Sequence, residues 1–130
     1  MNNKKDLGLL LLRVVVGATM FAFHGFPKMA GGPELWEKIG SSMANLGIHF
    51  FPTFWGFSAA LVETVGAVLV ILGLWSRHAS LLLAFTMLIA TVSHLMSGDG
   101  MARASHALEL GAVFLAIFFT GPGKYSIDKK

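Results

Sequence analysis

At 130 residues the chain is one domain's worth of polypeptide, with 55% hydrophobic residues against 13% charged and a mean hydropathy of +0.68. Soluble domains carry about 25% charged residues, so a water-soluble globule is excluded and lipid must stand in for the missing polar surface. The formal charge of +3 therefore points to membrane orientation rather than nucleic acid, and the absence of cysteine excludes disulfides, thiolate iron–sulfur ligation and a thiol nucleophile on this chain.

The first apolar block runs over residues 7–26, behind Lys4 and Lys5. It resembles a secretory leader, but no small-residue cleavage site follows. The block instead continues to His24, Gly25 and Pro27, so an uncleaved signal anchor is expected. Three more blocks follow at about 53–74, 79–97 and 104–120. Each fits the roughly 17–25 residues that a helix needs to cross a hydrocarbon core. Membrane strands would alternate with a period of two; Leu9-Leu10-Leu11-Leu12 does not. The expected fold is all-α, an antiparallel membrane four-helix bundle in a single domain over residues 1–130.

Between the first two spans, Pro33, Glu34 and Glu37 mark a helix start and Gly47 a stop. Leu35, Trp36, Ile39, Met43 and Leu46 share one face. A short amphipathic helix at about 33–46 is expected, either lying in the outer membrane interface or capping the bundle. Phe50, Phe51, Phe54 and Trp55 form an aromatic belt where the second span begins. Small residues in that span, among them Gly56, Ala60 and Gly66, let neighbouring backbones approach and make it the expected centre of the bundle. Ser76-Arg77-His78 reads as a tight hairpin connection, Gly98-Asp99-Gly100 as a turn, and the tail after Pro122 as short, polar and frayed.

Four spans put both termini on one side. Lys4, Lys5, Arg77, Lys124, Lys129 and Lys130 fall there; Lys28, Lys38 and Arg103 fall on the other. By the positive-inside rule the termini are cytoplasmic, and a bacterial inner membrane is the expected location.

Ionisable side chains inside the spans carry the functional information, because hydrocarbon tolerates them only when they face inward and pair. Arg13 sits roughly 9 Å from the cytoplasmic edge and Glu63 roughly 15 Å, at about 1.5 Å per residue. An Arg13–Glu63 ion pair is expected, either fixing helix register or carrying protons. His24, His94, His106 and Glu109 all fall in the outer half. Arg13, Gly17, Met20 and His24 share one face of helix 1; Ser80, Met87, Thr91 and His94 share one face of helix 3; His106 and Glu109 are i, i+3 neighbours. Three readings remain for this outer group: interhelical hydrogen bonding, a pocket for a small polar headgroup such as a quinone ring, or a metal site. Three histidines and a glutamate are acceptable zinc or iron ligands, but an i, i+3 pair is too common to assign a metal, and none is assigned. No phosphate-binding loop, nucleophile elbow, zinc-protease or haem-attachment motif is present.

Three stretches resemble the DoxX family of bacterial four-helix membrane proteins. They are Leu12-Arg13-Val14-Val15-Val16-Gly17 with Phe23-His24-Gly25-Phe26-Pro27-Lys28; Glu63 with Gly66 and Leu72-Gly73-Leu74; and His106-Ala107-Leu108-Glu109 with Gly121-Pro122-Gly123-Lys124-Tyr125-Ser126-Ile127-Asp128. The positions matching the family pattern are Arg13, His24, Lys28, Glu63, His106 and Glu109. The resemblance implies association with redox chemistry, since the family takes its name from a subunit of a thiosulfate:quinone oxidoreductase and other members look like partners in thiol and oxidative-stress assemblies. It implies partner membrane or redox subunits and a quinone as the candidate cofactor. With no cysteine here, any sulfur chemistry would belong to a partner or a bound cofactor. The expected function is an accessory or quinone-interacting subunit of a membrane redox assembly. The alternatives are a purely structural subunit of a larger membrane complex, or a small transporter, which lacks the broken, repeated helices that transporters show.

Overall fold

A computed structural model describes residues 3–128. Lys129 and Lys130, counted above toward the charge bias, lie outside them. Among the described residues every regular element is helical, in the order α1 (Asn3–Met20), a π-helical turn (Phe21–Gly25), α2 (Phe26–Ala30), α3 (Gly32–Gly40) and a 3-10 turn (Ser41–Leu46). Then come α4 (Pro52–Leu61), a second π-helical turn (Val62–Gly66), α5 (Ala67–Leu72), α6 (Ser76–Met96) and α7 (Met101–Thr120). Four continuous helical stretches are long and apolar enough to cross a membrane: Lys4–Ala30, Pro52–Leu72, Ser76–Met96 and Met101–Thr120. The chain is thus an all-helical, four-span membrane protein, as its apolar blocks dictate.

The boundaries differ from the sequence reading in two places. The first span does not stop before Pro27 but runs through it. A proline inside a plain α-helix loses one hydrogen bond and collides with the carbonyl four residues back. Here the chain widens first: the Phe26 amide donates to the Phe21 carbonyl, five residues back, and Pro27 opens α2. The second hairpin also sits earlier than expected, at Gly73–Trp75, because Gly73 (φ +70°) and Trp75 (φ +49°) take left-handed conformations that end α5. Arg77 and His78 belong to the first turn of α6.

The core lies where the spans meet. Met20 from α1, Ala67 and Val70 from α5, Leu83 and Met87 from α6, and Phe114 and Ile117 from α7 are all buried. Leucine, valine and phenylalanine dominate the outer faces, where Leu11, Val15, Phe85 and Phe119 are exposed to the lipid that replaces water. The amphipathic helix is present as α3 and its 3-10 extension, ended by Gly47 in a left-handed conformation. It packs on α4: a side chain on Gly40 would strike the Pro52 backbone, and one on Gly56 would strike the Trp36 backbone. The Trp36 and Phe57 rings meet edge to face at 4.9 Å. Of the two placements open to this helix, its contacts favour a cap docked on the bundle.

The tail is not frayed. Gly121, Pro122 and Gly123 are buried, and the segment turns back under the end of the bundle that carries the N-terminus. The Lys124 amide donates to Asp6 Oδ1 (3.2 Å), the Ile127 amide to the Leu72 carbonyl (3.2 Å) and the Asp128 amide to the Gly73 carbonyl (2.8 Å). The Asp128 carboxylate accepts from the Trp75 and Ser76 amides and the Ser76 hydroxyl, capping the N-terminus of α6.

Candidate functional site

Both charged residues expected deep in the bundle are buried, Arg13 at 1% exposure and Glu63 at 1%. They do not pair with each other. The Arg13 guanidinium donates to four carbonyl oxygens: Val70 (2.9 Å), Ile71 (2.8 Å), Pro122 (3.1 Å) and Tyr125 (3.0 Å). Val70 and Ile71 lie in the last turn of α5, where carbonyls have acceptor capacity to spare and the helix dipole favours a cation. Arg13 is therefore a clamp that fastens the tail to the end of the second span. The expected Arg13–Glu63 pair fails because the guanidinium meets a denser set of acceptors at its own depth.

Glu63 pairs instead with Lys28, whose Nζ lies 2.8 Å from Oε1 and 2.9 Å from Oε2. The two π-helical turns produce this contact. Gly25, in the first turn, abuts the backbone of Glu63 and Thr64 in the second so closely that a Cβ would come within 2.7 Å of it. That approach brings Lys28, one turn beyond Gly25, over the carboxylate. The Trp36 indole donates to the Lys28 carbonyl (2.9 Å) and so pins α3 above the pair. π-helical turns recur at functional sites, and here two of them face each other at the buried charges.

The pair opens on a cavity of about 290 Å³ between α3, the second span and α6. Its walls are mostly apolar, with Ile39, Met43, Trp55, Val62, Phe85 and Ile89 among them, and its polar groups are Lys28, Glu63, Ser42, Ser58 and Thr86. Both members of the pair line the cavity, and Lys28, 31% exposed against 1% for Glu63, is the more open of the two. Two of the three ammonium protons are aimed at Glu63, which leaves one donor for a guest. A larger groove of about 450 Å³, walled by Leu61, Val65, Leu69 and Leu82 with Trp75 and His78 at one end, holds no buried charge and has the character of an acyl-chain groove.

The outer group His24, His94, His106 and Glu109 does not converge as one site. His24 and His106 meet with ring centroids 5.5 Å apart. His94 turns away to Asp99 at the end of its own helix, Nδ1 to Oδ2 at 2.8 Å. Glu109 faces outward, exposed, on α7. Among the described residues no three histidine, aspartate or glutamate side chains are grouped as a metal would require. Helical phase placed these residues on the right helices, but phase alone does not say which neighbouring helix a face meets. Sequence reasoning set Lys28 at the outer end of helix 1 and among the family-pattern positions but gave it no partner; the signal available was its place three residues after Gly25, inside a helix that Pro27 does not end.

This arrangement has relatives. The DoxX family model matches residues 8–96, the first three spans with both members of the buried pair. The chain belongs to the DoxX family. CatD of Bacillus subtilis, which carries the provisional name of an oxidoreductase, is 32% identical to this DoxX chain over 98% of its length and 90% of the relative's. Two Escherichia coli inner membrane proteins are also similar. YphA is 30% identical over 94% of the chain and 89% of its own length, and YqjF is 28% identical over 99% and 95%. These alignments extend past the family match to the fourth span, and place this DoxX protein among multi-pass inner membrane proteins. No solved structure matches it.

Proposed function

We propose that this DoxX protein is an accessory membrane subunit of a redox assembly, and that it holds the ring of a quinone-like lipid in the cavity beneath α3. The observation that carries the reading is the Lys28–Glu63 pair submerged at the wall of an apolar cavity of about 290 Å³. An apolar chamber with one oriented donor suits a flat ring bearing carbonyl oxygens. The remaining Lys28 proton would bond a ring oxygen, and Trp55 and Phe85 offer faces for stacking. Glu63 holds the ammonium in place. A quinone bound there would move electrons and protons between partner subunits in the membrane; the partners would carry any sulfur chemistry. CatD's provisional name as an oxidoreductase is in keeping with this reading. The excess of basic residues beside the termini supports a cytoplasmic position for both.

His24 and His106 form a second, smaller polar contact, and in this reading they tie the first and fourth spans together rather than bind the ring.

The test uses tryptophan emission, since Trp55 lines the cavity and Trp36 touches Lys28. Titrating decylubiquinone into purified protein is expected to quench it saturably. The double variant Lys28→Met, Glu63→Gln is expected to lose the saturable phase, and His106→Ala to keep it. Quenching that never saturates, or that survives the double variant, overturns the reading.

A further inference from the structure

One acidic side chain in the spans, Glu109, is used by neither the cavity nor the tail clamp. Glu109 lies eight residues into α7, about 12 Å from its start at 1.5 Å per residue. That depth is beyond the reach of a short carboxylate to the headgroups. The ion pairs among the described residues are Lys28–Glu63 and His94–Asp99, and Glu109 enters neither. Its side chain is exposed, on the side of α7 opposite the buried Ala104, Ala107, Phe114 and Ile117. A carboxylate aimed at acyl chains is costly, and intramembrane acids face a partner as a rule.

The surroundings of Glu109 say what that partner is. Ala102, Ser105, Glu109, Ala112 and Ala116 follow one another at spacings of three and four, a single stripe along the helix. All are exposed except the half-buried Ser105. Beside the stripe, one turn from Glu109, stands the exposed imidazole of His106, one side of which lies against the His24 ring at 5.5 Å. The face thus carries an acceptor and a donor, set among side chains small enough for another helix backbone to approach closely.

We propose that this face is the interface through which two copies of the chain pair in the membrane, each Glu109 accepting a hydrogen bond from the His106 of the other copy. A two-fold interface requires a surface complementary to itself, and this one offers both halves of the contact within one turn. Copies insert with the same orientation, so the four groups arrive at the same depth. The pairing supplies both carboxylates with donors and needs no residue from any other protein. It is independent of the quinone cavity, which lies on the opposite flank of α6.

The chain has no cysteine, so one introduced thiol reports proximity cleanly. In native membranes under oxidation, Ala112→Cys and Ala116→Cys are expected to give a disulfide-linked species of twice the 14.0 kDa chain mass. Val65→Cys, exposed on the second span across the bundle, is expected to remain single. Adding Glu109→Leu to Ala112→Cys is expected to weaken pairing about tenfold, the scale of two interhelical hydrogen bonds in a bilayer, while Glu109→Gln retains most of it. Glu109→Leu removes only a lipid-facing charge, so a lost cross-link reports lost pairing and not a misfolded chain. Cross-linking no faster at Ala112→Cys than at Val65→Cys overturns the proposal. So does cross-linking indifferent to Glu109→Leu, or capture of a different polypeptide at Ala112→Cys.

Discussion

Two deeply buried charges, Arg13 and Glu63, organise this bundle, and each is held in a different way. Arg13 donates to four main-chain carbonyls on two segments. A planar fork can reach that many acceptors and a point charge cannot, so Arg13→Lys is expected to behave nearly as badly as Arg13→Met. Either should cost about 3 kcal/mol or more, since each bond to a charged donor is worth roughly 1.5–3 kcal/mol. The loss would be read from thermal unfolding in detergent, together with faster tryptic cleavage at Lys124. Lys28 and Glu63 form a side-chain pair, and a bared buried charge costs roughly 3–5 kcal/mol. Lys28→Met alone is therefore expected to destabilise strongly, and Lys28→Met with Glu63→Leu to recover most of the loss. A double variant no more stable than the single one would show that the pair does not act as a unit. That Arg13 and Glu63 turn inward was legible from hydrocarbon's intolerance of bare charge. Their partners were not, because carbonyl acceptors at a helix end have no sequence signature.

At the scale of elements, the apolar runs mark all four spans, and Pro33 and Gly47 bracket the capping helix. What the runs do not reveal is the pair of π-helical turns, since a widened turn has the same composition as an ordinary one. Its trace is indirect: Gly25 just before Pro27 in one span, and Thr64 with Gly66 after Glu63 in the other. Gly25 is where the two meet. Gly25→Val would drive a branched side chain into the Glu63–Thr64 backbone, 2.7 Å from where its Cβ would lie. Overpacking of this kind costs about 1–3 kcal/mol, and it should also lift Lys28 away from its carboxylate. If the cavity holds a quinone as proposed, saturable quenching by decylubiquinone is then expected to weaken further than stability does. Gly40→Val is the companion experiment at the α3–α4 contact: it is expected to loosen the cap while leaving the four spans folded, visible as increased labelling of a thiol at Met43→Cys. Unchanged labelling would mean that α3 is held by something other than its glycine seat.

Taken whole, the molecule is a four-span bundle with its chemistry-bearing charges stacked at different depths: a clamp near the termini, a paired ammonium and carboxylate beside a cavity in the other half, and a lone carboxylate on the outer wall. Family membership follows from residues spread along the chain, and so was readable early. The division of labour among the charges was not, because it depends on which helix neighbours which. A chain ending at Gly121 tests the arrangement at this scale. It would retain every span yet lose the Pro122 and Tyr125 carbonyls and the Asp128 cap on α6. It is expected to insert normally and unfold at a lower temperature than the full chain, and equal stability would show the tail to be idle.

The clamp also has a consequence in time. Arg13 leaves the ribosome among the first residues, while two of the carbonyls that receive it belong to Pro122 and Tyr125. At about 5–20 residues per second, the guanidinium waits for several seconds with only the Val70 and Ile71 carbonyls as acceptors, until synthesis of the tail supplies the other two. A chain that stalls before Pro122 leaves two of the four carbonyls that hold this charge unmade. Completion of translation and completion of the fold are thus joined at one side chain.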